Sequence, residues 1–166
     1  METTFESGIT QIVAATDLSD CSRNVLDHAI ALARATGAGL TVVHARSAPD
    51  YDDLYRSEAR EPHAAAAPRY SDLYDDAFEP PLALAFDEDA AAALARTHRD
   101  QLADLPRVRQ VAIAAEPVDA ILHVAQRAGA AIIVVGSRGR GAVAEALLGS
   151  TADAVIRRSG VAVLAV

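Results

Sequence analysis

The stretch Ala131-Ile-Ile-Val-Val-Gly-Ser-Arg-Gly139, followed after nine residues by Gly149-Ser150-Thr151, decides how this chain is read. The apolar run Ala131 to Val135 reads as a short buried strand. Gly136 and Gly139 leave that strand, and Gly149-Ser150-Thr151 opens a helix-like segment. Glycines let a backbone approach a ligand closely, and successive N–H groups in such a turn form an anion-binding nest. The first N–H groups of a helix lack intrahelical partners, and the helix dipole favours negative charge there. The pattern therefore predicts a phosphate cradle. A plain strand-to-helix turn would use the two leading glycines but has no need of Gly-Ser-Thr at that distance.

Working outward, Gln11-Ile-Val-Ala-Ala-Thr16 reads as a buried strand, with Ser19 as the cap of the next helix. Val25, Ala29, Ile30, Leu32 and Ala33 give that helix an apolar face, and Gly37 and Gly39 end it. Leu40-Thr-Val-Val-His-Ala45 is a second strand, and 84–105 reads as one Ala-rich helix. A third strand follows at 107–113, and Pro117 opens a helix that closes at Gly129. After the strand at 131–135, a helix at 151–159 and a strand at 161–166 complete the chain. The order is β-α-β-α-β-α-β-α-β. It predicts an α/β three-layer sandwich, with a doubly wound, Rossmann-like parallel sheet of five strands in the order 3-2-1-4-5. In that order the first and fourth strands are neighbours at the switch point, where ligands bind beyond the strand ends. These are the strands that end at Thr16-Asp17 and at Gly136, so fold and motif point to one place.

Composition narrows the function. The chain has 166 residues, enough for a single domain with a core, and a formal net charge of −8, which argues against a nucleic-acid partner. Every basic residue is arginine, so a Walker-type P-loop, which needs Gly-Lys-Ser/Thr, is excluded. Cys21, in the first turn of the first helix, is the single cysteine and rules out an intrachain disulfide. No apolar run reaches the roughly 18 residues of a membrane span, and the acidic start does not resemble a signal peptide. A cytoplasmic protein with no membrane partner is the expectation.

Several residues carry candidate chemistry. Asp17 either accepts hydrogen bonds from the nucleoside part of a ligand or caps the turn after the first strand. Arg138 and Arg140 lie in the glycine loop, within reach of phosphate. His44, near the end of the second strand, reads as a core or rim histidine. No Gly-x-Ser-x-Gly elbow or His-Glu-x-x-His pair is present, and the paired acids Asp52-Asp53 and Asp75-Asp76 lack apolar support for a metal site. An acidic, Tyr-rich insertion spans about 46–81. Within it Tyr51-Asp-Asp-Leu-Tyr55 recurs as Tyr70-Ser-Asp-Leu-Tyr74, and these hold all four tyrosines. The insertion reads as a lid, a docking segment or compositional drift.

With Gly136, Gly139, Gly149 and Ser150 at the spacing Gly-x2-Gly-x9-Gly-Ser/Thr, and Thr16-Asp17 after the first strand, the chain resembles the universal stress protein family in its ATP-binding subgroup. The resemblance runs from about Gln11 to Val166 apart from the insertion. It implies that Ala15, Thr16, Asp17 and Ala45 contact the adenosine part. Val135 and Gly136 would lie against the nucleoside, Arg138, Gly139, Gly149, Ser150 and Thr151 would hold the phosphates, and Ser137 would be a further nucleotide-binding position. It implies ATP, or ADP or AMP, with or without Mg, and a homodimer through the last strand, whose apolar edge would otherwise stay open. Ala15 stands where the family usually has proline, and Ser159-Gly160 where proline often precedes the last strand. The expected role is that of an ATP-binding regulatory protein of stress response, without an assigned catalytic residue. The rivals are a slow ATP hydrolase or nucleotide-dependent transferase, and a nucleotide-free interaction module.

Overall fold

The computed structural model describes residues 8–46, 85–86, 88–137 and 148–166. The insertion, with its tyrosines and paired acids, lies outside the described residues, as do Arg138, Gly139, Arg140 and the side chain of Cys21. The elements are β1 (Gln11–Thr16), α1 (Cys21–Thr36), β2 (Gly39–Arg46), β3 (Ala85–Phe86), α2 (Glu88–Thr97), α3 (Arg99–Leu102), β4 (Val108–Ala114), α4 (Pro117–Ala128), β5 (Ile132–Val135), α5 (Ser150–Arg158) and β6 (Ala162–Ala165).

The sheet runs β3-β4-β2-β1-β5-β6. Its five long strands are all parallel, and in chain order they read 3-2-1-4-5, as the sequence predicts. β1 is central, pairing Gln11 with Gly39 and Thr16 with His44 on one side and Ile12 with Ile132 on the other. Side chains alternate across the sheet and divide the core in two. Val13, Val43, Val111, Ile133 and Val135 face α4 and α5, meeting Ala120, Ile121, Val124 and Val155. Ile12, Ala14, Leu40, Val42 and Val134 face α1, α2 and α3, meeting Leu26, Ile30, Leu94 and Leu102. This is the doubly wound arrangement: right-handed crossovers that move outward from β1 in opposite directions must cover opposite faces.

Three local readings differ. The helix expected over 84–105 is in three pieces, because Ala85 and Phe86 pair antiparallel with Ala114 and Ile113 of β4. They cover donors that an edge strand would leave unpaired. The helix breaks again at His98, whose φ of −114° leaves the helical region. The buried face of α1 includes Leu26, 0% exposed, in place of the half-buried Leu32. Ser19 is not the cap of α1: Asp20 holds that position without a side-chain bond, while the Ser19 hydroxyl donates to Asp17. Gly37 and Gly129 end α1 and α4 at φ 70° and 61°, a conformation that residues with a Cβ rarely adopt. Among the described residues no helix is long and apolar enough to cross a membrane.

Leu94 anchors the helix layer that follows the insertion and is fully buried against α1 and the sheet. Leu94→Ala should lower unfolding free energy by about 2–5 kcal/mol in urea titration, the usual range for an unfilled leucine cavity. A loss below about 1 kcal/mol would mean that the site collapses around the change.

Candidate functional site

Parallel strands send their C-terminal ends to one edge of the sheet, and β1 and β5 are neighbours there. The crevice between their ends lies where chain connections diverge to the two faces. Continuing the register of Ala14 with Val134 sets Thr16 beside Gly136, and His44 of β2 pairs with Thr16 on the other side. Ala15, Thr16, Asp17, Ala45, Val135, Gly136 and Ser137 are thus brought to one edge. Thr16 and Val135 are buried, and the others are half-buried.

The β5 side is built by backbone. Ser137 N–H donates to the Val166 carbonyl at 2.6 Å, and Val166 N–H donates to the Val135 carbonyl at 3.0 Å. Gly149 N–H donates to the Ser137 carbonyl at 2.6 Å, so the residues on either side of 138–148 are held together in a closed neck. That bond uses the Gly149 N–H, which the sequence reading offers to an anion. The N–H groups without an intrahelical acceptor lie one step along, in the first turn of α5. Gly149 is its extended N-cap, at φ −69° and ψ 151°, and has no side chain with which to cap the helix. The N–H groups of Ser150 and Thr151 therefore have no intrahelical acceptor, and the positive end of the helix dipole lies with them. Ser150 is exposed and Thr151 half-buried, which leaves their hydroxyls reachable.

The β1 side is built by side chains. Asp17 Oδ1 accepts from Ser19 N–H at 3.0 Å, from the Ser19 hydroxyl at 2.5 Å and from the Ser22 hydroxyl. Its turn-capping role is thus realised, by closing the loop between β1 and α1. Leu18 sits inside that loop at φ 61°, the one non-glycine residue with positive φ among the described residues. A leucine there is strained by about 1 kcal/mol or more and persists only when its surroundings hold it. The Thr16 hydroxyl helps to hold it, accepting Leu18 N–H at 3.0 Å.

Two histidines flank Thr16. His44 Nδ1 donates to the Thr16 carbonyl at 2.8 Å, which makes His44 a rim residue as its position predicts. His98 Nε2 lies 3.0 Å from the Thr16 hydroxyl, and its Nδ1 3.1 Å from Gln101 Oε1. His98 is 0% exposed, and burial, with smaller contributions from Arg23 and His44, lowers its pKa below the ordinary 6.5 despite the opposing Gln101 bond. The sequence reading missed His98. A signal was present, because Ala90, Leu94, His98 and Leu102 recur every four residues, and all four are buried. A histidine on such an apolar stripe needs polar partners from elsewhere in the fold.

Comparison with known proteins agrees with this architecture. The family model described as the universal stress protein family matches residues 8–166. A universal stress protein solved in complex with cAMP is 25% identical, with 96% of this chain and 98% of that one covered and a TM-score of 0.61. The universal stress protein UspA from Lactobacillus plantarum is 20% identical over 95% of this chain and 97% of its own, at a TM-score of 0.64. A universal stress protein from Archaeoglobus fulgidus, in complex with dAMP, is 21% identical over 94% and 96%, at a TM-score of 0.58. Among curated proteins none matches the chain. The match along nearly its whole length, on a sheet of the same order, means that the chain belongs to the universal stress protein family.

Proposed function

We propose that this protein binds an adenine nucleotide, ATP foremost, in the crevice between the ends of β1 and β5, and acts as a regulatory rather than a fast catalytic member of its family. The observation that carries this reading is the uncapped N-terminus of α5, held beside the end of β5 by the bond from Gly149 to Ser137. Ser150 and Thr151 would hold phosphate by backbone N–H and hydroxyl, with Arg138 and Gly139 completing the loop. Ala15, Thr16, Asp17, Ala45, Val135 and Gly136 would line the nucleoside end. Two solved relatives whose complexes contain cAMP and dAMP support an adenine ligand. Mg, if it accompanies the nucleotide, would be held by the phosphates, since no group of three metal-binding side chains occurs among the described residues.

The second part of the proposal is a homodimer through β6. Among the described residues this strand is an edge of the sheet, and the two exposed large hydrophobic residues, Ile156 at 43% on α5 and Val161 at 38% just before β6, precede it in the chain. A second copy would cover both the apolar surface and the unpaired strand edge.

Denaturing the purified protein should release adenine nucleotide, and ATP at 100 times its dissociation constant should add about 2.7 kcal/mol of stability. The absence of both nucleotide release and a thermal shift would defeat the reading. Ser150→Glu places a negative charge where the helix dipole welcomes it, so the fold should be retained or gain a few tenths of a kcal/mol. The same charge repels phosphate, so ATP affinity should fall at least tenfold with little change for adenosine. Gly149→Val, at a backbone angle open to valine, should likewise weaken ATP.

Sedimentation equilibrium should report a dimer for the unaltered chain and a monomer for Ile156→Arg combined with Val161→Arg. A dimer that survives both changes places the interface elsewhere.

A further inference from the structure

The two histidines at Thr16 differ in one respect that decides what each can do. His44 donates from Nδ1 to a carbonyl, and it does so in both its neutral and its charged form. His98 cannot keep both of its bonds unchanged. Gln101 Nε2 donates to Asp27 Oδ1 at 2.9 Å and to the Arg23 carbonyl at 3.3 Å. This fixes the Gln101 amide with Oε1 as acceptor toward His98, so His98 Nδ1 must carry the proton. In the neutral ring Nε2 is then the acceptor, and the Thr16 hydroxyl donates to it. A directed chain results: His98 to Gln101 Oε1, Thr16 hydroxyl to His98, Leu18 N–H to the Thr16 oxygen. Its last bond is made by the strained residue of the β1–α1 loop.

Protonation of His98 turns Nε2 into a donor. The Thr16 oxygen must then accept from both His98 and Leu18, and the displaced hydroxyl proton needs an acceptor in a place where Thr16 is 6% exposed. A buried polar hydrogen without a partner costs about 1–3 kcal/mol, comparable with the strain that the same oxygen restrains at Leu18. The titratable side chains around the ring are Arg23 on α1 and His44 on β2, with Asp27 on α1 behind Gln101. Arg23 and His44 oppose a charge on His98, and Asp27 reaches it only through Gln101.

We propose that His98 is a positioning residue for the nucleotide site, holding the Thr16 hydroxyl in the direction that sets the 16–19 loop, so that proton uptake by His98 loosens this loop and weakens nucleotide binding. The proposal rests on the nucleotide reading above. It assigns to the helix pair after the insertion, α2 and α3, a direct hold on the end of β1. Burial keeps the ring neutral near pH 7 and places the transition in the acid range.

The test compares the unaltered chain with His98→Gln. Glutamine offers an acceptor that does not titrate, so it should preserve the bond to Thr16. ATP dissociation constants are measured from pH 7.5 to 5.0 for both. Phosphate itself titrates near pH 6, so the readout is the difference between the two pH profiles. The unaltered chain should lose about tenfold more affinity than His98→Gln across this range, the equivalent of about 1.4 kcal/mol. Parallel profiles would overturn the proposal. Nitrogen-15 spectra of the ligand-free protein at pH 7.5 should show His98 with its proton on Nδ1, and the opposite tautomer would also overturn it. If ATP binds at no pH while the Nδ1–H tautomer is found, the nucleotide reading has failed and takes the proposed coupling with it; the opposite tautomer with intact binding removes the coupling alone. Urea titrations check the sign. The folded pKa of His98 lies below its unfolded value, so its contribution to stability is complete above about pH 6.5 and is lost as pH falls through the folded value. That loss should be larger in the unaltered chain than in His98→Gln, while His123, whose pKa burial also lowers, affects both equally.

Discussion

The structure depends on β1 being enclosed on four sides. It is hydrogen-bonded to β2 and β5 at its two edges and covered by helices on both faces, so Ile12, Val13 and Ala14 are 0% exposed. Such a strand must be apolar through its enclosed length, because a polar side chain inside it would be buried with no solvent to satisfy it. Its polar groups appear where the enclosure ends, at Gln11 at the start of the strand and at Thr16 and Asp17 at its C-terminal end. The same constraint acts on β5, which stays apolar to Val135 and turns polar at Gly136-Ser137. The position of the crevice that these C-terminal ends share is therefore a consequence of how the core is built, because the buried middles of the two strands exclude polar groups.

This explains what the sequence made legible. Runs such as Ile132–Val135 and the alternation of strands with helices are local in the chain, and the strand order follows from them through the handedness of the crossovers. The glycine spacing is local as well, so the helix start at Ser150 could be placed to within one residue. Bonds between distant residues were not legible. Nothing near Gly149 says that its N–H is taken by Ser137, and nothing near residue 84 says that Ala85 and Phe86 complete the edge of β4. Asp17 shows the intermediate case: the sequence left ligand contact and turn capping open, and the bonds to Ser19 and Ser22 engage one carboxylate oxygen in the second role.

Accounting for backbone donors sharpens what the glycine motif does. Of the N–H groups that could face an anion, those of Ser137 and Gly149 are committed to closing the neck. Their commitment positions the start of α5, and a fixed set of unpaired N–H groups is a better anion site than a larger set that must first be ordered. On the proposed reading Gly149 serves the cradle by shaping it, while Ser150 and Thr151 would supply the donors.

The two halves of the crevice are secured in different ways. The β5 half is tied by main chain alone, through Val166, Ser137 and Gly149, and none of these bonds changes with pH. The β1 half is tied by side chains, through Asp17, Thr16 and His98, in a place where Leu18 stores strain. A phosphate contact to the first half would be insensitive to protons, whereas a nucleoside contact to the second would inherit the state of a buried imidazole. On the proposed reading, the mechanical asymmetry of the site would separate what grips a ligand from what can adjust the grip, and the adjustable half would be the one joined, through His98, to the helices that follow the insertion.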